Sequence, residues 1–206
     1  MSEVTRSMDA TAARIAARVD RGRRTQPNGW WGMALFVAGE ATLFGSLIAT
    51  YFYLRLSNDV WPPAGIEPPS VTLPLVLTGI LIAGVVPMWG ALRAARAGLA
   101  ARAWVLLAIA FAIQATYLGL QIHLFVSDYN DFQPTGSSYG SVYFTLLGVH
   151  HAHVALGLLF DVWLLGKLAG GMTNYRLVAL RAISLYWFFV AAIAVPVVFT
   201  QLYASL

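Results

Sequence analysis

The sequence predicts an all-α protein, an integral membrane bundle of five transmembrane helices. Three observations predict it. Charged residues make up only 11% of the 206 and hydrophobic ones 59%, whereas soluble domains carry roughly 25% charged residues. The apolar residues gather into five segments, each long enough to cross about 30 Å of hydrocarbon. Between those segments the basic residues alternate, rich on one side and nearly absent on the other.

Residues 1–29 form a basic tail with Arg6, Arg14, Arg18, Arg21, Arg23 and Arg24. The tail lacks the apolar core of a signal peptide. Its Ala- and Arg-rich stretch 8–21 suits either a helix lying on anionic lipid or a disordered arm. The first span covers about 30–54. The connector after it holds Trp61-Pro62-Pro63 and Pro68-Pro69, which resist helix. Spans two and three, about 71–92 and 103–126, are joined by a region carrying Arg93, Arg96 and Arg102. The polar connector 127–140 holds Asp128 and Asp131. Spans four and five, about 141–165 and 180–206, are joined by a region with Lys167, Arg176 and Arg181. Twelve of the thirteen basic residues therefore share one side, with only Arg55 opposite. The positive-inside rule then puts the N-terminus in the cytoplasm and the C-terminus outside, on the periplasmic side. Tyr51, Tyr53, Trp61, Tyr129 and Tyr139 fall where aromatic rings meet headgroups. Residues 30–206 read as one membrane domain, with Pro87 and Pro196 inside spans two and five.

Composition removes several functions. With no cysteine, disulfides, zinc–thiolate sites, iron–sulfur clusters and thiol nucleophiles are excluded. The pI near 9.6 reflects membrane topology, not nucleic-acid binding. No phosphate loop, nucleophile elbow or hydrolytic carboxylate pair is present. A chain of this kind works as one subunit of a larger membrane machine.

Glu40, His150, His153 and Asp161 stand out. Glu40 is the one charge between Trp30 and Leu54, and an acid at bilayer depth marks a functional site unless it serves as interhelical glue. Span four reads GVHHAHVALGLLFDVWLL, with His150, His151, His153 and Asp161 on one helix. At about 100° per residue, His150 and His153 share a face and Asp161 lies three turns below His150. Gly148 and Gly157 border this face, and small residues let helices approach closely. By axial count Glu40 lies about 15 Å from one membrane surface and His150 about 14 Å from the other. Glu40 can therefore meet His150 or His153 near the midplane. Asp161 is either solvated through a cleft or bonded to a Ser, Trp or Arg of a neighbouring helix, and because so short a side chain snorkels poorly the protein partner is favoured. A haem b held between His123 and His150 or His153 is the rival reading, making the chain a stand-alone membrane cytochrome. A small transporter using Glu40 as a proton site is a third, and no substrate-pathway residues support it.

The stretches WGMALFVAGEATLFGSLIATYFYLR (31–55), WPP (61–63), SSYGSVYFTLLGVHHAHVALGLLF (137–160) and YWFFVAAIAVPVVFTQLY (186–203) resemble subunit III of the haem-copper oxidases. The likeness covers 30–206 and matches the short bacterial form with five helices. It implies a cofactor-free accessory subunit in the bacterial plasma membrane. Haem and copper would sit in subunit I, on which this chain would pack beside subunit II. It further implies bound phospholipid, a role in proton uptake and turnover stability, and a place in a respiratory supercomplex. Glu40 falls on the family's intramembrane Glu, and His150 and His153 on its GxHxxHV pattern, with His151 where Gly is usual. Trp31, Arg55, Trp61, Tyr186 and Trp187 are the expected lipid or interface contacts. The last helix departs from the family's YWHFVD-x-VW: Phe188 replaces His, Ala191 replaces Asp and Ala194 replaces Trp. Near the end of span three, Gln121-Ile122-His123-Leu124 stands where an acid is common. These departures fit a divergent branch, a quinol oxidase or a nitric oxide reductase-associated homologue among them.

Overall fold

In the computed structural model, residues 27–66 and 72–204 are described. The tail before Pro27 and the Pro68-Pro69 part of the connector lie outside the described residues. Five helices follow in order: α1 (Asn28–Leu56), α2 (Thr72–Arg96), α3 (Ala100–Asp131), α4 (Ser138–Leu168) and α5 (Asn174–Ala204). All five are long and apolar enough to span a membrane, and no strand occurs among the described residues.

The helices outrun the predicted spans at several ends, and the connectors shrink accordingly. Asp128 and Asp131 belong to the last turn of α3, and Arg93 and Arg96 to the last turn of α2. Helix α5 starts six residues earlier than its apolar run. There the Thr173 hydroxyl accepts from the Arg176 backbone N–H at 3.2 Å, and the Arg176 guanidinium bonds to Gly171 O. Hydrophobicity marks where lipid begins; capping decides where a helix begins. Between α2 and α3 the turn is only three residues. Gly98 takes φ +77° while Leu99 N–H reaches Ala94 O at 2.9 Å and Gly98 N–H reaches Ala95 O at 3.1 Å. That Schellman arrangement needs a residue free of the Cβ penalty.

Helices α2 to α5 form a bundle, and α1 lies outside it in the groove between α4 and α5, touching neither α2 nor α3. The bundle core is mostly aliphatic, built from residues such as Leu77, Leu81, Leu107, Leu164 and Val190, with Trp187 at its centre. A second cluster, largely aromatic, ties α1 to α4 through Phe44, Tyr51, Trp61, Tyr139 and Tyr143. Three of the rings expected at interfacial depth belong to it. Tyr51, Trp61 and Tyr139 are buried, held by the Tyr51 hydroxyl donating to Thr200 O at 2.6 Å and the Trp61 indole donating to Tyr51 Oη at 3.3 Å. Tyr53 and Tyr129 are exposed as expected. Because Tyr51 meets Thr200 and Gly29 abuts Val178, α1 and α5 run parallel.

Candidate functional site

Helix α1 presents one stripe to the bundle: Met33, Val37, Glu40, Phe44, Leu47 and Tyr51. The spacing of three and four residues is the period of one helical face, and Glu40 is its only charged member. The carboxylate Oε2 lies 2.9 Å from His153 Nε2 on α4. The other imidazole nitrogen, Nδ1, is 2.7 Å from Val149 O. A carbonyl only accepts, so Nδ1 carries a hydrogen. Nε2 then either accepts from a protonated Glu40 or donates as imidazolium to the carboxylate. Both arrangements hold one proton on the shared line. Chemically, the pair can share a single proton without leaving either group uncompensated. The Tyr186 hydroxyl donates to the backbone carbonyl of His153 at 2.7 Å, and Phe44 packs edge-on against the imidazole. About a fifth of the Glu40 side chain remains accessible. The pair thus sits at a seam, not in a sealed core.

The predicted depth match between Glu40 and the histidines holds for His153 alone. His150 turns inward and is buried, where its Nε2 meets the Tyr117 hydroxyl at 3.1 Å. Gln121 donates to the same hydroxyl at 3.4 Å. Phe44 touches both imidazoles and lies between the two sites as an apolar partition. His151 is also buried, edge-on to Phe125.

Asp161 is fully buried, as its need for a protein partner predicted. With the Gln114 amide oriented to satisfy its neighbours, it donates to Ala110 O at 3.0 Å and Asp161 Oδ2 at 2.9 Å. The Trp187 indole is set against the same carboxylate. Trp187 comes this close because residue 157 is glycine; a Cβ there would lie 2.6 Å from the ring.

The remaining predicted contacts divide. Trp31 is exposed on α1, and Arg55 is half-buried in its last turn. Trp61, Tyr186 and Trp187 are buried inside the chain, with the Trp61 indole bonded to Tyr51 and the Tyr186 hydroxyl to His153 O. Phe188 and Ala191 line an apolar groove between α2 and α5, whereas Ala194 and Gln121 face the buried polar cluster of Tyr117 and His150. Sequence reading missed Gln114, Tyr117 and Gln121. Their signal is present, because they recur at the interval of three and four residues on the buried face of α3.

The haem reading fails on geometry. His123 is exposed on α3, while His150 is buried and bonded to Tyr117 on another face of that helix. Among the described residues no three His, Cys, Asp or Glu side chains converge to hold a metal ion.

These features define a class: a five-span helical membrane protein whose polar groups sit at helix seams and within the bundle. A family model described as cytochrome c oxidase subunit III matches residues 20–205, and the chain belongs to that family. It is 33% identical to "Cytochrome c oxidase subunit 3" of Bacillus subtilis over 94% of both chains. It is 28% identical to "Cytochrome bo(3) ubiquinol oxidase subunit 3" of Pseudomonas aeruginosa, over 94% of this chain and 93% of that one. A "Probable quinol oxidase subunit 3" of Staphylococcus aureus is 29% identical, over 85% of this chain and 86% of the relative. Family and spans together make this a multi-pass protein of the bacterial plasma membrane.

Proposed function

We propose that the chain is the accessory subunit III of a respiratory haem-copper terminal oxidase, packing on subunit I and working beside subunit II. Dioxygen reduction and proton translocation then belong to the whole complex, with haem and copper in subunit I. The observation that carries this reading is the family match, which runs through all five spans and includes Glu40, His150 and His153. The N-terminus faces the cytoplasm in this reading, by the distribution of basic residues. The Glu40–His153 pair supports a part in proton handling, because a shared proton at a half-open seam can exchange with neighbouring water or lipid headgroups. Bound phospholipid belongs to the same reading. The relatives include subunits named for cytochrome c and for quinol oxidases, so the electron donor is a property of the partner subunits.

The test is purification of the tagged chain from its own membrane in mild detergent, with mass spectrometry and an optical spectrum. Co-purification of a large subunit bearing haem and copper is the expected result, and that subunit identifies the oxidase class. Isolation of a lone chain with its own Soret band would overturn the reading.

A further inference from the structure

Outside the seam just described, a groove of about 810 Å³ runs along the outward faces of α2 and α3. Its walls are apolar, with Val86, Pro87, Leu106 and Ile113 among them, and Arg93 and Arg102 line its end beside the Gly98 turn. The Arg93 guanidinium lies 4.5 Å over the Trp89 ring, an arrangement that orients the charge without a carboxylate. Residues 72–113 contain three arginines and no Asp or Glu. Counter-charge for this end must therefore come from outside the hairpin.

The length of the groove is informative. From Arg102 to Ile113 a helix rises about 16 Å, which is close to half of the roughly 30 Å hydrocarbon thickness. A molecule lying in it would place a polar head between the arginines and its tail at the bilayer centre. That is the shape of a lipid from one leaflet. Ordinary annular lipid needs neither a groove nor a pair of cations. Basic pockets between transmembrane helices select anionic headgroups, and guanidinium suits phosphate better than a point charge does.

We propose that the α2–α3 groove is a binding site for one anionic phospholipid, its phosphate held between Arg93 and Arg102 and an acyl chain laid along Val86 and Ile113. Val86 and Trp89 also line the apolar groove between α2 and α5, so a second chain can pass on the other side of this ridge. The proposal rests on the lipid-binding part of the function proposed above, and it assigns the lipid a place and a charge.

The experiment uses the full chain in vesicles of phosphatidylcholine containing a minor fraction of diazirine-tailed phosphatidylglycerol or, in parallel, diazirine-tailed phosphatidylcholine. After illumination, crosslinked peptides are mapped by mass spectrometry. In the wild-type chain, phosphatidylglycerol should label residues 83–113 at least about fivefold more than phosphatidylcholine does, with no such preference on α4. Arg93→Gln with Arg102→Gln should remove the preference, while Arg93→Lys with Arg102→Lys should retain most of it. Equal labelling by the two lipids in the wild-type chain would overturn the proposal, and that comparison needs no variant to fold. Preference that survives the double Gln variant would also overturn it. The readout is made on this chain alone, so it stands or falls separately from whether an oxidase subunit co-purifies.

Discussion

His150 and His153 are one turn apart on the same helix, yet they live in different chemistry. His150 faces α3 inside the bundle and meets a hydroxyl and, through it, an amide. His153 faces α1 at the seam and meets a carboxylate. Phe44 separates them. The difference shows how one helix divides its polar residues. Neutral partners suffice where the site is sealed, because an unpaired charge there would be costly. A titratable partner is placed where some access to the surroundings remains. The outlying helix α1 contributes that partner, a second carboxylate beside the Asp161 that the bundle already encloses.

The sealed side should be the more fragile. Gly157→Leu places a side chain where a Cβ alone would be 2.6 Å from Trp187. It should destabilise the bundle by about 3 kcal/mol, read as the largest drop in thermal midpoint in detergent. Tyr117→Phe leaves His150 Nε2 and Gln121 without their shared hydroxyl. A loss of about 1 kcal/mol is expected, near the upper part of the range for hydrogen bonds within membranes, measured by the same melt. Retention of wild-type stability would show that the two imidazoles do not differ in the way described.

On the open side, Glu40→Gln keeps shape and can still donate to His153 if the imidazole presents a lone pair. Stability should fall by less than about 1 kcal/mol and assembly with other oxidase subunits should persist. The effect is expected in the rate of proton uptake or in how many turnovers the complex survives. If the variant abolishes assembly instead, Glu40 is interhelical glue. The smallest effect should come from Trp104→Phe, which removes one indole bond of 3.1 Å to Leu165 O at the arginine-rich end. About 0.5 kcal/mol or less is expected, with both histidine sites unchanged in their imidazole NMR shifts.

The five spans and the approach of α1 to α4 were legible because apolar length and an isolated acid leave few alternatives in lipid. Which histidine would meet Glu40 was not, since His150 and His153 differ by only about 60° around the helix. The choice depends on α1 lying parallel to α5 in an outer groove, a fact no single segment records. That Tyr51, Trp61 and Tyr139 are buried within the chain was not legible for a related reason. The same residue types serve a headgroup belt and a buried aromatic cluster, and only the fold of the connector brings Trp61 back over Tyr51. Tyr117 and Gln114 looked like ordinary polar residues until the buried face of α3 was known.

The partner of Glu40 lies 113 residues downstream. Translation at about 5–20 residues per second leaves the first helix waiting roughly 6–23 s for its histidine. Through that interval the acid must enter lipid carrying its own proton, or α1 must linger beside the insertion machinery. The pairing of Glu40 therefore waits on the fourth span, with only α5 still to follow, and the half-made protein must carry an uncompensated acid until then.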